Sequence, residues 1–305
     1  MTDSIHIAIE AVFDRFPAIP HRLNEPMKNH TSFKIGGTVR SMFFPDNAED
    51  LIRICKVMGE YSVEPLIVGN GTNLLVDDKH LDIVAIKTTS LCAMELVGET
   101  GIKAGAGVSL SRLAAYACQN GLSGMEFSYG IPGALGGAVA MNAGAYGGEM
   151  KDVVYETSAY SQGDGKYTAI GDEHGFAYRR SIFSSRGGIA LGSVLRLQKA
   201  EKRIIQAKMD ELNARRREKQ PLDLPSAGSV FKRPERGHAA FFIEQAGLKG
   251  YCVGGAQVSE KHSGFIVNQG EASFSDVMTV IDHVMETVMK LFGVELELEV
   301  KIIRS

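Results

Sequence analysis

Apolar positions recur every three to four residues through the opening SIHIAIEAVFDRF, which predicts a helix docked by one face. A second helical pattern runs through DNAEDLIRICKVMGEY, started by an Asn or Asp cap and early acidic residues. Short apolar runs follow: PLIVG ends at the turn Gly69-Asn70-Gly71-Thr72-Asn73, and LLV, DIVAI and MELVG read as strands. Ser109 to Gly121 predicts a helix with Gly121 as its C-cap. VVYETSAYSQ and GIALGSVLRLQ predict strands enclosing a loop region that contains Tyr178-Arg179-Arg180-Ser181. A charged helix over 199–219, stopped by Pro221, marks the passage to a further domain. Beyond it PSAGSVFKRP reads as a loop, HAAFFIEQAG as a short helix and Ser275 to Phe292 as a long one. The chain closes on VELELEVKII, where strict alternation predicts a strand with one apolar face. Strand clusters and helices that do not alternate regularly point to an α+β protein rather than a doubly wound sheet.

Glycine changes this picture locally. It makes up 34 of 305 residues, and seven of them fall between Gly130 and Gly148 in GIPGALGGAVAMNAGAYGG. Such a stretch lets two backbones approach closely or lets the chain wrap a flat or anionic ligand with its own amides. The rest of the composition is ordinary. With 44% apolar residues and 305 positions the chain can build its core without disulfides or a structural metal. Cys55, Cys92, Cys118 and Cys252 lie far apart, without a C-x-x-C pair, as expected for reduced thiols in the cytoplasm. A net charge of −3 gives no global field favouring nucleic acid or acidic lipid. No stretch approaches the ~20 apolar residues of a membrane helix, and Met1 to Glu10 lacks a leader pattern. The expectation is a soluble, unprocessed, monomeric protein with neither nucleic-acid nor membrane partners.

Three segments are candidate sites on residue chemistry alone. The Gly69 to Asn73 turn follows an apolar strand, so its amides suit a diphosphate, although a Gly-Asn-Gly turn serves a hairpin equally well. A dinucleotide fingerprint would need a helix next, and the following LLVDDKHLDIVAIK reads as strand. Ser226 and Ser229, with Lys232 and Arg233, share one short loop, where serines more often cap turns than react. Glu295, Glu297 and Glu299 share one face of the closing segment, and alternation alone does not rank them. The eight histidines show no H-x-H or H-E-x-x-H spacing, so no metal is expected. Arg215 to Arg217 read as favourable charge at a helix C-terminus.

Taken in order, NHTSFKIGG, VGNGTNLLV, EFSYGIPGALGGAVAMNAGAYG, YRRSIF, RRREKQPL, SAGSVFKRP, IEQAGLKG, GGAQVSEKHSGFIVN and LEVKII resemble the bacterial UDP-N-acetylenolpyruvoylglucosamine reductases, flavoenzymes that make UDP-N-acetylmuramate for peptidoglycan. The resemblance covers nearly the whole chain. It implies an FAD-binding region similar to the vanillyl-alcohol-oxidase (PCMH-type) superfamily, with lobes over 1–80 and 81–205, and a C-terminal α+β substrate-binding domain over 206–305. The last strand, 294–303, would return toward the FAD-binding part.

The same resemblance implies site residues. Non-covalent FAD would be held by Gly69, Asn70, Gly71, Thr72, Asn73, Tyr129, Gly130, Ile131, Pro132, Gly133, Gly136, Gly137, Asn142, Gly144 and Ala145, with NADPH as co-substrate. Arg179 matches the family's active-site arginine, Ser229 its proton donor and Glu299 its C-terminal glutamate, while Tyr178, Lys232, Gln245 and Asn268 are candidates for holding the sugar nucleotide. The chain departs from many relatives at Lys301, where arginine is common and a bidentate contact would become a point-charge contact. Its short interval from Arg179 to Ser229 resembles the subgroup without an extra substrate-covering loop. The competing readings are a flavin oxidase of the same broad fold and a flavin or nucleotide-sugar binder without catalysis.

Overall fold

The computed structural model describes residues 3–304, and the chain divides into two compact units. The first takes the chain up to Leu23, Ser41–Asn70 and Ile83–Arg215; the second takes Asn24–Arg40, Gly71–Asp82 and Arg216 onward. The first unit carries the helices α1 (Ser4–Arg15), α2 (Ala48–Glu60), α3 (Leu110–Gln119), α4 (Leu135–Ala140) and α5 (Ile182–Ser185). Helix α6 (Lys202–Lys219) runs across the border in sequence, and α7 (Ala239–Gln245) and α8 (Phe274–Phe292) belong to the second unit.

Local chemistry explains the helix starts. Asn47 Oδ1 accepts from Asp50 N at 2.9 Å ahead of α2, and Ser109 Oγ accepts from Arg112 N at 3.4 Å ahead of α3. Helix α8 has a reciprocal capping box: Ser273 Oγ accepts from Asp276 N at 3.1 Å and Asp276 Oδ2 accepts from Ser273 N at 2.9 Å. The Ser273 N–H holds the Asp276 carboxyl below the usual carboxylate range. The C-cap of α3 is Asn120, with Gly121 one step later at φ +67°, so the left-handed glycine follows the expected position of the cap.

Two hydrophobic cores form in the first unit. One gathers Ile9 and Val12 of α1 with Leu51, Ile54, Val57 and Met58 of α2 and Val84 and Ile86. The other packs Leu110, Leu113 and Ala117 of α3 and Leu135 and Val139 of α4 against Ile102, Ala159 and Leu195. The latter strands belong to an antiparallel sheet ordered Gly165–Ile170, Val154–Ser161, Ile189–Arg196, Gly101–Gly105, Met94–Val97. In the second unit, Ser226–Ser229, Phe265–Asn268, Ala256–Val258 and Cys252–Val253 make an antiparallel sheet. Its core joins Val230, Val258 and Ile266 to Val277, Val280, Ile281 and Val284 of α8.

Several expectations need correction. The closing segment is not a ten-residue strand: only Lys301–Ile303 forms a ladder, pairing in parallel with Leu74–Val76. Before that, Lys232 N donates to Glu297 O, Glu299 N donates to Val230 O, and Leu298 makes a single bridge with Phe231, an irregular pairing that keeps the extended chain without a regular sheet. PSAGSVFKRP contains the strand Ser226–Ser229 rather than only loop. The glycine-rich segment contains helix α4, because small residues allow a helix to lie close to a neighbouring backbone. The charged helix starts at Lys202 rather than 199, residues Gln198–Lys199 being strand. Strands His21–Pro26, Thr38–Phe43, Gly101–Gly105 and Gly165–Ile170 were not legible, since their short or polar patterns give no clean alternation.

Among the described residues no helix is long and apolar enough to cross a membrane, and no cluster of three or more His, Cys, Asp or Glu side chains is placed to hold a metal ion. His174 is fully buried, its Nδ1 against Gly171 O and its Nε2 against Thr157 Oγ1 at 2.8 and 2.9 Å. Burial pushes the His174 and His262 imidazoles below their ordinary range. The unfolded chain therefore takes up these protons first as pH falls. Stability is full above the ordinary histidine range and is expected to drop between about pH 7 and pH 5, with part of that slope absent in His174→Gln. Thermal melting against pH checks this, and identical slopes in both proteins would contradict it.

Candidate active site and cofactor-binding segments

Strand Leu66–Val68 delivers the chain to Gly69, and the turn beyond it does not close a hairpin. Leu66–Val68 pairs with Ala85–Lys87, whereas Leu74–Val76 pairs with Lys301–Ile303. Among the described residues none of the backbone N–H groups of Gly69, Asn70, Gly71 and Thr72 donates to a backbone carbonyl. Successive amides in this state suit an anionic group such as a diphosphate. Gly71 has φ +64°, and a Cβ there would overlap the His30 carbonyl oxygen, so only glycine is accommodated. Gly71→Ala is expected to cost about 1–3 kcal/mol of stability. A lowered melting temperature would be the result; a wild-type value would refute it.

The first half of the turn is fastened to a second candidate segment, because Asn70 Nδ2 donates to Pro132 O at 3.0 Å. That segment is held by α3: Gly130 N donates to Ser111 Oγ at 3.1 Å, and Leu110 N donates to Gly133 O at 3.0 Å. Ile131 N donates to Ser128 O, fixing the turn after Tyr129. In α4, Gly136 N donates to Ala106 O at 2.8 Å and a Cβ at Gly136 would stand 2.9 Å from Ala106 Cβ, which is the close approach that the glycines permit. A Cβ at Gly137 would meet open space, leaving a bare backbone surface. Gly144–Ala145 pairs with Gly148–Glu149 in a tight hairpin, while Asn142 is buried with its side chain bonded to protein groups.

Arg179 lies in the first unit at the tip of a loop closed by Ala177 and Arg180, which exchange backbone hydrogen bonds at 3.0 and 3.2 Å. Its φ of +54° is a strained value for a residue with a side chain. The guanidinium stands 5.2 Å from the ring centroid of Tyr178, itself 50% exposed.

The second unit brings Ser229 and Glu299 onto neighbouring extended segments. Glu299 N donates to Val230 O at 2.7 Å, next to Ser229 in the chain. Opposite the partner strand, Ser226 faces Val267 and Ser229 faces Phe265, so three residue steps oppose two and the strand bulges. Gly228, at φ +77°, supplies the conformation the bulge requires. Among the described residues the Ser229 hydroxyl has no hydrogen-bond partner. Asn73 Nδ2 donates to Glu299 O at 3.0 Å and Lys301 N donates to Asn73 O at 3.0 Å, which ties the end of the glycine turn to the C-terminal segment. Of the three glutamates, Glu295 and Glu297 are exposed and Glu299 is half-buried.

The remaining candidates divide by environment. Lys232 Nζ pairs with Glu297 Oε2 at 3.0 Å near the surface. Gln245 is exposed at the end of α7. Asn268 is structural in its visible contacts: Nδ2 donates to Phe33 O at 3.1 Å and Oδ1 accepts from Gly270 N and Ala272 N. Arg216 is 3% exposed, and a run of three arginines does not tell from sequence which one the helix turns inward.

A model of the C-terminal domain of UDP-N-acetylenolpyruvoylglucosamine reductase matches residues 220–303, and a model described as an FAD binding domain matches 39–171. The chain is 48% identical over 281 residues to the UDP-N-acetylenolpyruvoylglucosamine reductase of Caldanaerobacter subterraneus, covering 92% of this chain and 93% of that one. The chain belongs to the UDP-N-acetylenolpyruvoylglucosamine reductase family. The reductase of Thermotoga maritima is 47% identical over 279 residues, covering 91% of this chain and 97% of its own length. The crystal structure of the Thermus caldophilus UDP-N-acetylenolpyruvylglucosamine reductase superposes with a TM-score of 0.79 at 33% identity, covering 93% of this chain and 98% of that one. The fold is thus an α+β FAD-binding region followed by the reductase family's C-terminal domain, as the resemblance implied. The protein is a flavin-dependent oxidoreductase with FAD as its cofactor. The residues present fit that group, since the amides of Gly69 to Thr72, which donate to no backbone carbonyl among the described residues, and the bare backbone at Gly137 leave room and donors for it.

Proposed function

We propose that the protein uses NADPH to reduce UDP-N-acetylglucosamine enolpyruvate to UDP-N-acetylmuramate, a precursor of peptidoglycan. The observation that carries this reading is the placement of Ser229 beside the backbone of Glu299, with a hydroxyl that no group among the described residues engages and with Glu299 alone of the three glutamates withdrawn from full exposure. When bound, FAD supplies hydride transfer, from NADPH to the methylene carbon of the enolpyruvyl ether. Residues Gly69 to Asn73 hold its diphosphate, and Tyr129 to Gly133, Gly136, Gly137 and the Asn142 to Ala145 segment line the rest.

The chain's own part is to manage charge and a proton. Hydride addition leaves an enolate-like carboxylate on the substrate, which Arg179 and Glu299 stabilise by charge and hydrogen bonding. Ser229 then delivers a proton to the adjacent carbon. A serine hydroxyl is a weak acid, so this step draws its driving force from the basicity of the intermediate and from a fixed hydroxyl. Tyr178, Lys232 and Gln245 hold the sugar nucleotide, while Asn268, the fourth candidate, keeps Phe33, Gly270 and Ala272 in place. The interval between Arg179 and Ser229 holds α5, the strands Ile189–Arg196 and Gln198–Lys199, α6 and the start of the strand Ser226–Ser229, which supports membership of the subgroup without an extra covering loop. The four unpaired cysteines support a cytoplasmic setting.

An anaerobic spectral titration tests the reading. NADPH should bleach the flavin band, and UDP-N-acetylglucosamine enolpyruvate should restore it with stoichiometric product. Bleaching without recovery would point to another acceptor, as an oxidase has, and would overturn the assignment.

A further inference from the structure

Asn142 is 1% exposed at φ +45°, and three hydrogen bonds fix its side chain. Nδ2 donates to Glu149 Oε2 at 2.7 Å and to Ala177 O at 3.1 Å, while Oδ1 accepts from Lys151 N at 2.9 Å. Glu149 reaches Asn142 because the hairpin Gly144–Ala145 and Gly148–Glu149 folds back through Tyr146 and Gly147, both at positive φ. Gly144 leaves room for it, since a Cβ there would stand 2.7 Å from Glu149 Cγ. On the far side, Ala177 is one of the two residues that close the Arg179 loop. The other end of that loop is held by Ser181, fully buried, whose Oγ donates to Ala140 O at 2.8 Å, at the last residue of α4.

Both feet of the Arg179 loop are therefore bonded to the glycine-rich segment, Ala177 to Asn142 between helix and hairpin and Ser181 to the last residue of α4. A left-handed non-glycine residue persists only where its surroundings over-determine it. We infer that Glu149 and Ser181 are positioning residues for Arg179, Glu149 acting through Asn142 and Ala177 and Ser181 acting through the end of α4. This rests on the catalytic reading of Arg179. It makes the glycine-rich segment a platform that aims the guanidinium as well as a lining for the cofactor, and it gives the serine of Tyr178-Arg179-Arg180-Ser181 and the hairpin glutamate a defined task.

The test uses the FAD-loaded full chain with Glu149→Ala, Glu149→Gln and Ser181→Ala, each alone and combined with Arg179→Ala, in stopped flow. Flavin reduction by NADPH should keep its wild-type rate in the Glu149 and Ser181 single variants. Reoxidation by the enolpyruvyl substrate should slow roughly 10- to 100-fold in Glu149→Ala and Ser181→Ala, in the rate at saturation more than in KM. Glu149→Gln, which keeps an acceptor for Asn142 Nδ2, should recover most of it. Added to Arg179→Ala, each change should cost less than about twofold more. Full additivity with Arg179→Ala, or equal slowing of both half-reactions, would overturn the proposal as mere local destabilisation. Wild-type reoxidation by Arg179→Ala alone would instead remove the reading on which it rests. Should Glu149→Ala fail to fold, Ser181→Ala, which deletes a single oxygen, decides the matter.

Discussion

Ser229→Ala is expected to retain FAD and its reduction by NADPH while slowing product formation on the order of 10²–10⁴-fold. The size follows from the role: with the hydroxyl gone, the proton must come from water that nothing orients. The structure gives the substitution little else to disturb. Ser229 is half-buried, its hydroxyl has no protein partner among the described residues, and the bulge around it depends on Gly228 rather than on the serine side chain. A normal melting temperature with slow reoxidation of reduced flavin would fit. Wild-type turnover would remove the proton-donor assignment.

Glu299→Gln is expected to lower turnover by roughly 10²–10³-fold, whereas Glu295→Gln and Glu297→Gln should stay within about twofold of wild type. The glutamines keep the size and the backbone bonds, including those of Glu299 with Val230 and Asn73. Each change removes the negative charge and turns one acceptor oxygen into an amide donor. Glu295 is exposed, and Glu297 forms an exposed pair with Lys232 that is screened by water. Steady-state rates of the three variants, measured side by side, separate the position from the charge. Equal losses at all three would mean that net negative charge along the segment matters, not Glu299.

What the sequence makes legible here follows from where its signals are strong. Helices α2, α3 and α8 carry both caps and a 3.6-residue pattern, so their position could be read to within a residue or two. Alternation in VELELEVKII correctly separates inward Val294, Leu296 and Val300 from outward Glu295 and Glu297, but periodicity reports burial and not ladder bonds. The partner of that segment, Leu74–Val76, is distant in sequence, and no local pattern points to it. The same limit applies to the site. The glycines at 69 and 71 announce a special backbone, yet the link from Asn73 to the carbonyl of Glu299 and the burial of Asn142 between Glu149 and Ala177 arise only from tertiary packing. Ranking Glu299 above its neighbours likewise needs the half-burial that a period of two does not encode.

The parallel pairing of Lys301–Ile303 with Leu74–Val76 also constrains how the chain is made. Asn73 and its acceptor at Glu299 are 226 residues apart, so at translation speeds of about 5–20 residues per second the early segment waits roughly ten to fifty seconds for its partner. During that interval Leu74–Val76, all buried in the finished protein, presents an unpaired apolar edge to the ribosome exit and its chaperones. A nascent chain that stalls a few residues short of Lys301 is left with this edge open, and an affinity tag is better placed at the start of the chain than after Ile303.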